Sequence, residues 1–151
     1  MVSTVAQVEP SSLIVRLNPA VQLSDEQFFD LCQLNRELRI ERTAEGALEI
    51  MPPTSGETGR KNAILTYHLT GWALVDGSGD VYDSSTGFKL SNGAVRAPDA
   101  SWVPRSRLAG IAAQERERGF LPLCPDFVVE LRSPSDTLPP AQEKLREYMQ
   151  H

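Results

Sequence analysis

The sequence predicts a mixed α/β domain in which one central sheet is flanked by helices. Three observations lead there. Helical and strand-like patterns alternate along the chain, Asn92-Gly93 stands between two strand-like runs, and the apolar run Phe127-Val128-Val129 ends on a carboxylate, Glu130. At 151 residues the chain suffices for one domain with its own core, without covalent or metal staples.

Residues 1–22 carry few cues for packing and read as an N-terminal arm, with the domain proper spanning 23–151. A helix is expected from Ser24 to Glu37. Ser24 suits the cap, Asp25 and Glu26 suit the first turn, and Phe28, Phe29, Leu31, Cys32 and Leu34 recur at helical spacing. A hairpin follows, with strands at 38–42 and 47–51 joined through Thr43-Ala44-Glu45-Gly46. After Pro52-Pro53, Thr54 and Glu57 have capping-box spacing, and the helix they open should turn Ile64, Leu65, His68, Leu69 and Trp72 toward the core.

Asn92-Gly93 is the strongest short hairpin signal in the chain and joins strands expected at 87–90 and 94–103. A helix is expected over 106–119, a buried strand over 121–131, a break at Ser133-Pro134-Ser135-Asp136, and a last helix over 139–150.

Several function classes fall away on composition. No run of eighteen apolar residues is present, so no membrane-spanning helix is expected. Met1 to Pro10 has neither the basic nor the apolar part of a secretory signal, which makes a cytoplasmic location the default. Cys32 and Cys124 are far apart and read as small buried hydrophobes, while His68 and His151 are too few for a zinc site or a catalytic triad. The chain has no phosphate-cradling glycine loop and no nucleophile elbow. A net charge of -5 argues against indiscriminate nucleic-acid binding, yet a local basic groove is compatible with an acidic total.

The chemistry concentrates in the second half. Side chains alternate along a strand, so Asp126, Val128, Glu130 and Arg132 share one face. Burying a carboxylate after Phe-Val-Val is costly unless it is paired or holds a cation. Asp126 lies about 13 Å from Glu130 along the strand, too far to share one ion, so a partner carboxylate must come from another strand. Asp99, after Pro98, is the best candidate, and oxygen ligands of this kind suit magnesium. Spacing alone favours Asp99 as a turn residue and Glu130 as a partner of Arg132 or of a helix terminus. Lys144 sits at the edge of the apolar stripe formed by Ala141, Leu145 and Met149, where its head can either reach a site or pair with Glu143 or Glu147. Glu57 reads as a helix-cap residue.

Five blocks together resemble a known family: Thr54-Ser55-Gly56-Glu57, Thr86-Gly87-Phe88, Arg96-Ala97-Pro98-Asp99-Ala100-Ser101-Trp102-Val103, the stretch from Pro125 to Asp136, and Lys144-Leu145-Arg146-Glu147-Tyr148. They resemble the restriction-endonuclease-like family abundant in cyanobacteria, a branch of the PD-(D/E)xK nuclease superfamily. The resemblance runs from about Leu23 to the C-terminus. It implies a restriction-endonuclease-like central mixed β-sheet flanked by helices, a magnesium or manganese cofactor, DNA as substrate and a homodimer or other homo-oligomer. It further implies that Asp99 and Glu130 bind the metal and that Lys144 orients or activates water. In this reading Lys144 replaces the lysine expected two residues after Glu130, where Arg132 stands. Glu57 matches an acidic residue that assists on the family's early helix.

Family members continue past the Lys-x-x-x-Tyr helix with further strands, whereas this sequence ends at Met149-Gln150-His151. The expectation is a domain lacking those strands, with an open sheet edge, reduced stability and a tendency to self-associate. The alternative reading is a catalytically inactive nuclease-like remnant or a protein-interaction module.

Overall fold

A computed structural model describes residues 12–132 and 138–151. The expected break at Ser133-Pro134-Ser135-Asp136 and the first eleven residues of the arm lie outside them. The class is as the sequence predicts, α and β mixed, but the strands divide between two antiparallel sheets.

The larger sheet is built around the first hairpin, β2 (Arg39–Arg42) and β3 (Leu48–Met51), in which Arg42 faces Leu48 and Gly46 makes the turn at φ 83°. β1 (Leu13–Val15) adds to β3 on one side, so part of the expected arm is a strand. On the other side come β6 (Val95–Arg96) and β5 (Phe88–Lys89), giving the order β1-β3-β2-β6-β5. The Asn-Gly turn joins β5 to β6 as the sequence predicts, with Gly93 at φ 87°, in the left-handed region that favours glycine.

The smaller sheet has the order β4-β7-β8, from β4 (Gly79–Asp83), β7 (Ala100–Pro104) and β8 (Phe127–Val129). The strand expected over 94–103 is therefore two strands. Pro98 cannot donate to a ladder, and at Pro98-Asp99 the chain leaves one sheet for the other. β4 had no clear signal in Gly79-Asp80-Val81-Tyr82-Asp83, because two aspartates and a glycine mask its alternation.

Five helices surround the sheets among the described residues. α1 (Asp25–Leu34) starts with a capping box between Ser24 and Gln27 and lays Phe28, wholly buried, against Leu48 and Val95. α2 (Gly56–Asp76) is capped by Ser55 rather than Thr54, its hydroxyl accepting from the Thr58 N–H. Of its expected core face, Leu65 and Leu69 are half-buried, Ile64, His68 and Trp72 are exposed, and Ala73 is the buried residue. The expected helix over 106–119 is two short ones, α3 (Arg105–Leu108) and α4 (Ala113–Arg118), parted at Gly110. The last helix, α5, covers Leu138–Gln150. Cys32 and Cys124 are free thiols, and both pack among apolar side chains as expected.

A second apolar cluster, Phe88, Val103, Leu108 and Leu121, ties β5 and β7 to α3, and Phe88 also bridges to Leu121 in parallel. Gly79 lies beneath the indole of Trp102, where a Cβ would overlap ring atoms Cε2 and Nε1. Trp102 is held in turn by an edge contact with Trp72 at 5.6 Å. Gly79→Ala is therefore expected to destabilise the fold by about 1–3 kcal/mol through overpacking. Urea unfolding should show a lower midpoint at an unchanged m-value; an unchanged midpoint would mean the indole moves freely.

Candidate active site

The site lies where the two sheets and α5 meet. β7 and β8 run antiparallel, Ala100 opposite Val129 and Trp102 opposite Phe127. Continued by one residue, that register sets Asp99 opposite Glu130, each just beyond the end of its strand. The Asp99 carboxylate accepts from the Leu131 N–H at 2.7 Å and from the Arg39 guanidinium at 3.2 Å. Arg39 also donates to the Ala97 carbonyl, so it spans the turn that carries Asp99.

Lys144 is delivered by α5, anchored one turn later by Tyr148, which packs on Leu90, Ala94 and Cys124. Its Nζ stands 2.9 Å from Glu130 Oε1 and 2.9 Å from Glu41 Oε1. The Tyr148 hydroxyl donates to Glu130 at 3.1 Å. Glu41, on β2, is 1% exposed and also accepts from the Ala97 N–H at 3.1 Å and from Arg96 at 3.3 Å. Arg96 continues the chain of charges to Glu49 at 3.3 Å and to Glu147 of α5 at 2.6 Å.

Of the residues singled out in the sequence, Asp99, Glu130 and Lys144 thus come together. Glu57 does not join them. It lies exposed in the first turn of α2 and pairs with Arg60 at 2.9 Å and Lys61 at 3.8 Å. Neither Arg132, which is exposed, nor Glu143 is the partner of its sequence neighbour; Glu130 and Lys144 pair with each other instead. Glu41 went unread in the sequence. Its one signal is a glutamate inside a hairpin strand, between Ile40 and Arg42, where burial demands a partner.

Burial pushes the Glu130 carboxyl above its ordinary range; Lys144 opposes the shift, while Glu41 and Asp99 add to it. Burial also works to raise Glu41, but Lys144, Arg96 and the Ala97 N–H together hold it below the usual range. The two carboxylates share one lysine at equal distance, and the extra donors on Glu41 make the difference. Lys144 is held up: desolvation disfavours its charge, and Glu41 and Glu130 outweigh it. Tyr148 is raised as well, by burial and then by the charge of Glu130.

The last two shifts have a measurable consequence. A group whose pKa is higher in the folded than in the unfolded state stabilises the fold below the unfolded value and loses that contribution as pH rises. For Lys144 and Tyr148 the loss should begin above about pH 10, near the ordinary values of both groups. The melting temperature is expected to drop through this alkaline range, and less steeply in Tyr148→Phe; identical slopes would place the alkaline transition elsewhere.

Magnesium prefers oxygen ligands, completed by water. Asp99 and Glu130 supply such oxygens from adjacent strand ends. The donor set fits a hard divalent cation, although among the described residues no three His, Cys, Asp or Glu side chains converge on one point.

Two antiparallel sheets flanked by helices in a mixed α+β domain are consistent with a restriction-endonuclease-like fold. The chain belongs to the Uma2 family, described as "putative restriction endonuclease", whose model matches residues 25–151. No curated protein matches it. No helix among the described residues is long and apolar enough to cross a membrane.

Proposed function

We propose that the protein is a magnesium-dependent endonuclease hydrolysing DNA phosphodiester bonds, with Asp99 and Glu130 as the metal-binding carboxylates. The observation that supports this reading is the convergence of Asp99, Glu130 and Lys144 from three elements distant in sequence. Bound to the two carboxylates, magnesium would supply an activated water and neutralise charge building on the phosphoryl oxygens.

Lys144 enters this chemistry as a cation. Its raised pKa keeps the ammonium protonated, which suits orienting the attacking water and stabilising phosphate charge rather than abstracting a proton. Arg39, on Asp99 and one-third exposed, offers a second cation toward the substrate. Glu57 has no part in this reading, since its carboxylate is committed to Arg60 and Lys61. Exposed apolar side chains at Phe127 on β8 and Met149 on α5 favour association between copies, as a homo-oligomeric nuclease requires.

One observation favours a second reading, a nuclease-like interaction module without catalysis. Protein cations, Arg39 and Lys144, already neutralise both candidate ligands. Calorimetric titration of magnesium and manganese, with supercoiled-plasmid nicking on the same samples, separates the two. Binding and nicking support the enzyme; absence of both supports the module.

A further inference from the structure

The Lys144 ammonium stands equally close to Glu130 and Glu41, and the two glutamates are unlike. Glu130 sits at a strand end, and apart from Lys144 its only hydrogen-bond donor among the described residues is the Tyr148 hydroxyl. Glu41 lies inside the larger sheet, with Oε1 engaged by Lys144 and the Ala97 N–H and Oε2 by Arg96. The Arg39 guanidinium also lies 4.0 Å from Oε1. With its oxygens so engaged and 1% of its surface exposed, Glu41 is closed to a solvated cation.

The difference matters if Glu130 is a metal ligand. A cation drawing on that carboxylate competes with any ammonium paired to it. A lysine held by Glu130 alone would be displaced by the ion it must work beside. A lysine held by a second carboxylate out of the ion's reach would stay.

Resting on the nuclease reading above, we propose that Glu41 is a positioning residue: it retains the Lys144 ammonium in the site while Glu130 coordinates the cation. The geometry around it serves that task. Arg96 fixes Oε2, and Arg96 is itself gripped by Glu147, three residues beyond Lys144 on α5. The helix carrying the lysine is thereby tied to the larger sheet, while the metal-binding carboxylates stand at the ends of the smaller one. Glu41 acts on the lysine and touches neither substrate nor metal.

The test follows the Lys144 ammonium by NMR of the lysine side chains, its resonance assigned by its loss in Lys144→Met. Magnesium alone is added to wild type, to Glu41→Asp and to Glu41→Gln. Aspartate preserves the negative charge but, one methylene shorter, withdraws the carboxylate from Lys144, so it serves where the amide variant fails to fold. In wild type the protected ammonium signal should persist at saturating magnesium. In the variants it should be present without the ion, held by Glu130, and lost with it. In parallel, kcat for nicking should fall about 10²-fold in Glu41→Asp, with KM changed no more than about threefold, as for removal of an interaction specific to the transition state. Combining Glu41→Asp with Lys144→Met should be no slower than Lys144→Met alone, since residues acting as one unit are not additive.

Loss of the wild-type signal on adding magnesium overturns the inference without any variant. So does a signal that survives magnesium in Glu41→Asp together with near-normal kcat; in that case the nuclease reading stands. Wild type that neither binds magnesium nor nicks DNA removes both.

Discussion

Lys144→Met is expected to unfold far more readily than wild type, by about 3–5 kcal/mol at neutral pH, and to nick DNA at least about 10²-fold more slowly. Methionine matches the length of the stem but brings no charge. It leaves Glu41 and Glu130 facing each other in a largely buried site, and an uncompensated buried charge is costlier than the pair it came from. The two carboxylates will not respond alike. Glu41 keeps Arg96 and the Ala97 N–H and remains ionised. Glu130, already pushed above its ordinary range by burial, will move further up and take a proton.

That sets the sign of a pH test. A carboxyl with a raised folded pKa contributes stability when protonated and loses it as pH rises through that value. The deficit of Lys144→Met relative to wild type should therefore narrow as pH is lowered from 7 toward 5, and denaturant titrations at both pH values measure it. A deficit below about 1 kcal/mol, or one independent of pH, would mean that the ion pairs contribute as little as exposed ones do.

Glu130→Gln should separate function from stability. The amide keeps the shape and can still accept from the Tyr148 hydroxyl, while Lys144 retains Glu41. Because burial disfavours the charged form of Glu130, its neutral isostere is expected to melt no lower than wild type at neutral pH. Catalysis should respond in the opposite sense. With one of the two proposed metal-binding carboxylates replaced, magnesium binding should disappear from the calorimetric trace and nicking should fall at least about 10²–10³-fold. Activity within a few-fold of wild type would rule out Glu130 as a ligand, and with it the proposed site.

Parts of this arrangement are legible in the sequence because they are local. The Ser24 cap, the Gly46 and Gly93 turns and the first hairpin rest on backbone conformations that a few adjacent residues settle by themselves. The candidate carboxylates were legible for a different reason. Glu130 ends an apolar run, and Asp99 follows a proline that must end a ladder.

The helix over 56–76 shows where such reading stops. Its apolar residues are spread around the axis, so spacing does not select a face; packing against β4 and β7 does, and it buries Ala73 while leaving Trp72 half exposed. β4 was illegible because its partner β7 confers its strand character, five residues paired in register across a sequence that alternates poorly.

The sequence by itself determined the α/β class and the family, since these depend on short-range pattern and on motif order, and the family resemblance singled out Asp99, Glu130 and Lys144. Only the tertiary structure decided that the chain changes sheets at Pro98-Asp99, that Arg132 is not the partner of Glu130, and that Glu41 shares the lysine. The physical reason is distance along the chain. Glu41 and Lys144 are 103 residues apart, and a buried charge reveals its need for a partner locally but finds that partner only when the sheets close.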